Sequence, residues 1–223
     1  MTTPPLTLAV LASGRGSNLQ ALQDAIAAGA LGARIVGVFS DKPACGAIAI
    51  ARAHGLHTVA VSPRDCANRA AHDEALFSEV AAVQPDLIVC AGYMRIIGAA
   101  SVRRFEGRMI NIHPSLLPKY PGLDTHARTI AAGDREHGAT VHAVIPELDA
   151  GPLLAQVRFA VLPGDDAAAL ARRLLPREHA LLVATAGLFA QRRVQLHADH
   201  ALLDGRRLSA PLLLDAANHL IGA

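Results

Sequence analysis

The sequence predicts an α/β fold built on a mostly parallel, twisted β-sheet. Up to His113, short apolar runs alternate with amphipathic segments whose apolar residues recur at helical spacing. The apolar runs are bounded by glycine, proline or serine, which is typical of buried parallel strands. Parallel strands joined by helices need right-handed crossovers, so helices are expected on both faces of the sheet. With 223 residues, 52% of them hydrophobic, the chain can bury the core of one large domain.

The first part of the chain should contain five strands and three helices. Strands are expected at Leu6 to Ala12, Ile35 to Ser40, His57 to Val61, Asp86 to Ala91 and Arg108 to His113. Helices are expected from a cap at Ser17 to Gly29, over Gly46 to His54, and over Asn68 to Val83. The third helix ends before Gln84-Pro85, because a residue that precedes proline disfavours the helical conformation.

After His113 the pattern becomes mixed. A short helix is expected over Thr125 to Ala132, and strands over Thr140 to Ile145 and Leu153 to Phe159. Asp165 or Asp166 should cap a long final helix that Pro176 kinks or divides. The Asp204-Gly205 turn within Val194 to Leu214 predicts a small terminal hairpin. We expect one domain over residues 1–223 with a mixed C-terminal lobe.

Composition argues against several classes of function. Aromatic residues are only 3% of the chain, Trp is absent, and the net charge of +2 comes from dispersed Lys and Arg, so a nucleic-acid surface is not expected. No stretch resembles a secretory signal or a membrane span of ~20 apolar residues. Cys45, Cys66 and Cys90 are an odd count without metal spacing or a pairing framework. A cytoplasmic protein without membrane contacts is expected.

The strand that ends at His113 carries the strongest chemical signal. Because side chains alternate along a strand, Asn111 and His113 should point to the same face while Ile110 and Ile112 point to the other. A carboxamide can stabilise an oxyanion, and an imidazole can do so too or transfer a proton, so the pair suits acyl transfer. A polar pair that only satisfies itself at a strand end is the alternative.

A glycine-rich loop, Ser13 to Asn18, lies between the first strand and the first helix. Glycines let the backbone approach an anion, and free N–H groups at a helix start attract phosphate. Gly14, Gly16 and the later Asp41 resemble a dinucleotide fingerprint, but Leu19 stands where the third glycine is needed. The loop therefore favours a terminal monophosphate, with a structural turn as the alternative.

Five motifs occur in order along the chain: S-G-R-G-S-N-L-Q (13–20), A-G-Y-M-R-I-I (91–97), N-I-H-P-S-L-L-P-K-Y-P-G-L (111–123), H-G-A-T-V-H (137–142) and E-L-D-A-G-P (147–152). Together they resemble the phosphoribosylglycinamide formyltransferase family of purine biosynthesis. The similarity runs from about Leu6 to beyond Glu178.

The resemblance implies a Rossmann-like formyltransferase fold, 10-formyltetrahydrofolate as co-substrate and glycinamide ribonucleotide as formyl acceptor. It implies catalytic roles for Asn111, His113 and Asp149. The ribonucleotide-binding residues would be Gly16, Ser17, Asn18 and Glu178, and the folate-binding residues Arg69, Met94, Arg95, Ile96 and Ile97, together with Asn111. Residues 1–110 would form a phosphate-binding lobe and residues 111–223 a catalytic and folate-facing lobe. Small molecules would be the partners of a monomer or homodimer, with no metal.

In this reading Asp149 pairs with His113 and makes it more basic, and a bound water carries the proton. Cys90, within an apolar strand, is expected to be a core residue rather than a nucleophile. His126, His137 and His142 could suggest a metal site with His113, but the ligand set is implausible, so His137 and His142 are expected to be structural or to support the catalytic residues. Asp124 and Arg172 to Pro176 depart from the family pattern.

Other functions remain open. A formyltetrahydrofolate deformylase shares the Asn, His and Asp chemistry, although such enzymes carry an extra N-terminal regulatory domain and usually a second His where Pro114 stands. A methionyl-tRNA formyltransferase would need a basic C-terminal domain, for which this chain is too short. The missing third glycine disfavours a nicotinamide-dependent oxidoreductase, and a non-catalytic binding module would require the polar trio to be coincidental.

Overall fold

The computed structural model describes residues 4–222. Its strands are β1 (Leu6–Leu11), β2 (Ala33–Ser40), β3 (Thr58–Ala60), β4 (Leu87–Cys90), β5 (Met109–His113), β6 (Glu136–Ala143), β7 (Leu153–Ala160), β8 (Val194–Leu196), β9 (Ala201–Leu203), β10 (Arg206–Arg207), β11 (Leu212–Leu214) and β12 (Leu220–Ile221). Its α-helices are α1 (Ser17–Ala27), α2 (Gly46–Ala53), α3 (Arg69–Ala82), α4 (Ala99–Arg104), α5 (Thr125–Ala131) and α6 (Ala167–Ala190), and a 3-10 turn covers Pro63–Asp65.

Nine strands form the main sheet in the order β12-β11-β7-β6-β5-β4-β1-β2-β3. Strands β3, β2, β1, β4 and β5 are parallel to one another, while β6 is antiparallel to both β5 and β7. Beyond them, β11 is parallel to β7 and β12 is antiparallel to β11. The prediction of a mostly parallel sheet with a mixed C-terminal part is confirmed.

Helices cover both faces of this sheet. Alternate residues of β1 belong to two separate core clusters, since Leu8 and Val10 pack with α1, α2 and α6 while Ala9 and Leu11 pack with α3. This division follows from the two-residue period of a strand. Both faces of β1 and β4 are apolar and buried, as the continuous hydrophobic runs predicted.

Several expected element boundaries need correction. Ser17 does not cap α1: the cap position is Gly16, in a left-handed conformation with φ of 85°, and Ser17 is the first helical residue. Strand β6 begins at Glu136, earlier than expected, and ends at Ala143. Pro176 does not divide α6, which continues through it. Asp166, one of the two expected caps, accepts a hydrogen bond from the Ala169 N–H.

The C-terminal region forms more than a hairpin. Strands β8, β9 and β10 make a small antiparallel sheet, and the expected Asp204-Gly205 turn joins β9 to β10 with both residues at positive φ. Strands β11 and β12 instead extend the main sheet. Within residues 4–222, no helix is long and apolar enough to cross a membrane.

The topology determines where a site can form. Strands β2, β1, β4 and β5 are adjacent and parallel, so their carboxyl ends meet at one edge of the sheet. The loops that follow these strands therefore converge, and open α/β sheets hold their ligands at this edge.

Candidate active site

Asn111 and His113 lie at the carboxyl end of β5, in one polar cluster with His142 and Asp149. Strand pairing places His142 opposite Asn111, with Nδ2 of Asn111 3.1 Å from Nε2 of His142. The Asp149 carboxylate lies between the two imidazoles, 3.5 Å from Nδ1 of His113 and 3.5 Å from Nε2 of His142. The structure therefore brings together the three predicted catalytic residues and places His142 beside them.

The β6–β7 turn brings Asp149 into this cluster. Asp149 has a φ of 51°, a conformation in which aspartate and asparagine are tolerated better than most residues. The turn packs so closely against the end of β6 that a Cβ on Gly151 would lie 2.0 Å from the Ala143 carbonyl oxygen, and only glycine fits there. Oδ2 of Asp149 accepts a hydrogen bond of 2.8 Å from the Gly122 N–H, which lies outside its own turn. The carboxylate thus joins two loops and two histidines.

Both ring nitrogens of His113 have a neighbour. Nε2 lies 2.9 Å from the Tyr120 carbonyl oxygen, and since a carbonyl only accepts, Nε2 carries the proton and donates. Burial lowers the pKa of His113 below its ordinary value; this effect exceeds the opposing effects of the Tyr120 hydrogen bond and the Asp149 charge. Asp149 thus acts on the His113 pKa in the expected direction, but burial outweighs it, so the net pKa is lowered rather than raised. In the free protein His113 is mainly neutral at pH 7.

Asp149 remains ionised despite its burial. Burial raises the pKa of the carboxyl, but the neighbouring His142, the hydrogen bond from the Gly122 N–H and the nearby His113 together outweigh it and hold the pKa below its usual range. The cluster thus combines a fixed negative charge with a neutral imidazole that faces it. Such a pair can accept a proton from a reacting group and hold it.

A cleft of about 550 Å³ opens beside this cluster. It is lined by Cys90, Tyr93, Arg95, Ile96, Ile97, Val102, Asn111, His142 and residues 144–149. Apolar walls with a few convergent polar groups are typical of small-molecule sites. Of the residues expected at the folate site, Arg95, Ile96, Ile97 and Asn111 line the cleft.

The other two expected folate residues lie elsewhere. Met94 is exposed and does not line the cleft; its N–H donates to Oγ of Ser13, so its backbone ties the loop after β4 to the loop after β1. Arg69 is the exposed first residue of α3 and is not among the lining residues. Neither side chain belongs to the walls of the cleft in this structure.

The glycine-rich loop meets the final helix. Gly16 has the left-handed conformation that glycine adopts without strain, and a Cβ there would lie 2.6 Å from Cα of Ala47. Nδ2 of the buried Asn18 donates a 2.7 Å hydrogen bond to Oε1 of Glu178, 160 residues away. Gly16, Ser17, Asn18 and Glu178, expected to bind the ribonucleotide, are thus brought together.

Unused polar atoms belong to Asn18 and to the residue that follows Glu178. Oδ1 of Asn18 and Nε2 of His179 are buried and have no hydrogen-bond partner within residues 4–222. Burial raises the pKa of the Glu178 carboxyl. The hydrogen bond from Asn18 lowers it by a smaller amount, so the pKa lies above its ordinary value. Buried polar groups without partners are costly in a folded protein, and a bound polar ligand removes that cost.

The remaining candidate residues have structural surroundings. Nδ1 of His126 lies 2.7 Å from Nε2 of His137, whose Nδ1 lies 3.1 Å from the Thr129 hydroxyl, so His137 is structural as expected. Burial raises the pKa of the Cys90 thiol to about 12, as befits the expected core residue rather than a nucleophile.

Sequence reasoning missed two parts of the site. His142 contacts both Asn111 and Asp149, in line with the expected supporting role, but its place in the wall of the cleft was not foreseen. The second part is the segment 144–148, which forms one wall. Its position directly before Asp149 was the available signal.

The formyl transferase family model matches residues 6–186. The chain belongs to the formyl transferase family. It is 42% identical over 205 residues to phosphoribosylglycinamide formyltransferase of Escherichia coli strain K12, covering 91% of this chain and 96% of that protein. The structure of phosphoribosylglycinamide formyltransferase from Coxiella burnetii in complex with CHES aligns with a TM-score of 0.87 at 40% identity, over 92% of this chain and 96% of the other.

A solved structure of an enzyme with a different name is a more distant match. Formyltetrahydrofolate deformylase from Burkholderia mallei aligns with a TM-score of 0.79 at 27% identity, over 89% of this chain and 70% of the other. The expected Rossmann-like formyltransferase fold is confirmed by these matches.

Proposed function

We propose that the chain transfers the formyl group of 10-formyltetrahydrofolate to the primary amine of glycinamide ribonucleotide, giving formylglycinamide ribonucleotide and tetrahydrofolate in purine biosynthesis. Relatives named phosphoribosylglycinamide formyltransferase match nearly the whole chain. The observation that carries the mechanism is the cluster in which the Asp149 carboxylate lies between His113 and His142, beside Asn111.

Asn111 is suited to stabilise the oxyanion that forms when the amine attacks the formyl carbon. One N–H of its Nδ2 points to Nε2 of His142, which is an acceptor because Nδ1 of the same ring donates to the Ala143 carbonyl. The second N–H of Nδ2 has no partner among residues 4–222, and Asn111 lines the cleft. That N–H is the donor we assign to the oxyanion.

His113 and Asp149 act as a proton-holding pair. As the C–N bond to the ribonucleotide forms, the amine nitrogen becomes positive and must lose a proton, while the folate nitrogen gains one as its bond to the formyl carbon breaks. We propose that a water carries this proton and that His113 takes positive charge transiently, stabilised by Asp149. In the free protein, Nε2 of His113 donates to the Tyr120 carbonyl. For His113 to donate to the oxyanion as well, substrate binding must first break that hydrogen bond.

The two substrates would approach this cluster from different sides. The cleft lined by Arg95, Ile96 and Ile97 suits a flat, largely apolar ring system with a few polar edges. The loop of Gly16, Ser17 and Asn18 suits a phosphate, and Glu178 suits a ribose hydroxyl or the amine. Arg69 and Met94 remain proposed folate contacts that require a change from their present positions.

We treat residues 1–223 as one formyltransferase domain, because a single sheet joins its N-terminal and C-terminal lobes. Residues 1–110 supply the phosphate loop, and residues 111–223 supply the catalytic side chains. We place the reaction in the cytoplasm, where the free thiols of Cys45, Cys66 and Cys90 would stay reduced. Only small molecules are needed as partners, and either a monomer or a homodimer satisfies the proposal.

Formyltetrahydrofolate deformylase is the competing function, since water could replace the amine in the same cluster. The buried contact of Asn18 with Glu178 favours the transferase, because water as acceptor needs no such site. The test is to follow tetrahydrofolate release from 10-formyltetrahydrofolate with and without glycinamide ribonucleotide. Release that depends on the ribonucleotide supports the transferase, and equal release without it refutes the transferase in favour of the hydrolase.

A further inference from the structure

The carbonyl oxygen of Tyr120 lies within reach of two donors. Nε2 of His113 is 2.9 Å away, and Oγ of Ser115 is 3.3 Å away. The Ser115 hydroxyl has a single proton and lies closer, at 2.6 Å, to the carbonyl oxygen of Lys119. In the free protein the hydroxyl therefore donates mainly to Lys119, and His113 is the main donor to Tyr120.

Tyr120 is fixed more firmly than the imidazole that donates to it. Its hydroxyl donates a 2.9 Å hydrogen bond to Oδ2 of Asp134, and the guanidinium of Arg128 lies 5.1 Å from the centre of its ring. Its φ of 55° is unusual for an aromatic residue, and such a conformation persists only where the surrounding contacts impose it. When imidazole and carbonyl separate, we therefore expect the imidazole to move and the carbonyl to stay.

This separation removes the main donor from a carbonyl that lies beside two buried side chains. His113 is only 6% exposed, and Ser115 is fully buried. A buried acceptor that is left without a donor costs more than a typical hydrogen bond contributes. Among residues 4–222, the other donor to the Tyr120 oxygen is the Ser115 hydroxyl.

The backbone of Ser115 is held where its side chain can make this exchange. Its N–H donates to the His113 carbonyl at 2.9 Å, and its own carbonyl accepts a 2.7 Å hydrogen bond from the Thr140 hydroxyl. Rotation of the side chain therefore moves the hydroxyl between the neighbouring carbonyls of Lys119 and Tyr120. Lys119 is an exposed residue, so water can bond to its carbonyl when the hydroxyl turns away.

We propose that Ser115 is a positioning residue for His113. Its hydroxyl takes over the Tyr120 carbonyl when His113 leaves, and this makes the departure of His113 less costly. The inference rests on the proposed function, in which His113 must donate to the oxyanion. A hydroxyl that only braces the loop through Lys119 is the alternative.

A crystal structure of the His113→Ala variant tests the exchange directly. Because removing the imidazole mimics its departure, Oγ of Ser115 should move to about 2.8 Å from the Tyr120 oxygen, the usual length of such a hydrogen bond. The distance from Oγ to the Lys119 oxygen should increase. A hydroxyl that stays on Lys119 would overturn the proposal, whether or not water occupies the Tyr120 oxygen.

Replacing Ser115 tests the effect on catalysis. Ser115→Ala should lower kcat/KM for formyl transfer about tenfold, because the Tyr120 carbonyl then loses its last donor as His113 leaves. Ser115→Cys should lie between Ser115→Ala and wild type, since a thiol is a weaker donor than a hydroxyl. Calorimetric affinity for pteroylglutamate should stay within about twofold of wild type, because a ligand without a formyl group gives His113 no oxyanion.

Thr185→Val is the matched control for loss of a buried hydroxyl. Thr185 is fully buried, and its hydroxyl donates a 2.8 Å hydrogen bond to the backbone carbonyl of Leu181. This variant should lose thermal stability, as Ser115→Ala does, and keep kcat/KM within about twofold of wild type. A Ser115→Ala enzyme that kept kcat/KM to the same degree would overturn the proposal.

An NMR titration of the His113 ring separates the exchange from a bracing role. The Tyr120 hydrogen bond favours the protonated imidazole, and the Ser115 hydroxyl competes for the same oxygen. Without that competitor, Ser115→Ala should raise the pKa of His113 and move the acid limb of kcat/KM to higher pH. Loss of a brace would loosen Tyr120 and lower this pKa, which would refute the exchange. The other groups that act on the His113 pKa are unchanged in the variant: Asp149, His142 and Arg128.

These outcomes distinguish the role of Ser115 from the proposed function. The His113→Ala structure and the NMR titration involve no substrate, so their failure leaves the transferase assignment intact. A chain that releases formate without the amine, and yet shows the exchange in His113→Ala, would refute the transferase but keep the role of Ser115.

Discussion

Replacing Asp149 with Asn tests the charge at the centre of the polar cluster. Asparagine has nearly the same shape and tolerates the positive φ of 51° at this position, so the turn should keep its conformation. The substitution removes the negative charge that lies 3.5 Å from both His113 and His142 and weakens the hydrogen bond accepted from the Gly122 N–H.

The expected loss is mainly catalytic. Loss of an acid–base contributor typically lowers the rate ~10²- to 10⁴-fold, so we expect kcat to fall at least ~10²-fold, about 3 kcal/mol in activation free energy. Replacing a charge-assisted hydrogen bond by a neutral one should lower the free energy of unfolding by about 1 kcal/mol. Because the pKa of Asp149 lies below its usual range, the carboxylate stays charged near neutrality and the difference from wild type should be constant between about pH 6 and 8.

The assay is steady-state formyl transfer, accompanied by calorimetric binding of a folate analogue and by thermal unfolding. Asp124→Asn is the control, since Asp124 also has positive φ, is exposed, and makes no side-chain cap to α5. That variant should keep kcat within about threefold of wild type, the range of a neutral surface change. An Asp149→Asn enzyme that kept such activity and lost only melting temperature would refute the proton-holding role.

Three further predictions concern binding and stability. Asn18→Leu should raise the KM for glycinamide ribonucleotide and leave folate affinity nearly unchanged, since it removes the amide at the phosphate loop; loss of folate binding instead would contradict that assignment. A folate analogue should slow hydrogen exchange at the amides of Arg95 to Ile97, and unchanged exchange at saturation would count against the cleft as its site. Burial lowers the pKa of His137 to about 4, so between pH 6.5 and 4 the unfolded chain binds a proton that the folded chain does not. The free energy of unfolding should therefore decrease by up to about 3 kcal/mol as the pH is lowered through this range. His137→Gln should reduce that pH dependence in urea titrations, whereas the exposed His219→Gln should not; equal pH slopes in wild type and His137→Gln would refute the linkage.

Most of the parallel half of the fold could be predicted from the sequence. The apolar runs of β1 and β4 are buried on both faces, so hydrophobicity alone marks them. Helix α4 escaped notice because its six residues are too few to show a helical period. The early start of β6 was hidden by Gly138, where a Cβ would lie 1.9 Å from the Val157 carbonyl oxygen, since a glycine in a polar run usually indicates a turn.

Site residues that lie within a sequence motif could be predicted. Site residues whose position depends on tertiary packing were harder to predict. Alternation along β5 brought Asn111 and His113 to one cluster, but no local pattern revealed that strand pairing would place His142 opposite Asn111. The direction of the His113 pKa depended on how completely the ring is buried, which a sequence does not show. Met94 and Arg69 were assigned by resemblance, and their side chains lie outside the walls of the cleft.

The most direct test of formyl transfer is to follow the carbon itself. The enzyme would be incubated with 10-[¹³C]formyltetrahydrofolate and glycinamide ribonucleotide, and the products identified by NMR and mass spectrometry. The proposed function predicts that the label appears in the ribonucleotide as an N-formyl group, in equal amount to the tetrahydrofolate released. Label recovered as free formate, with an unmodified ribonucleotide, would contradict it.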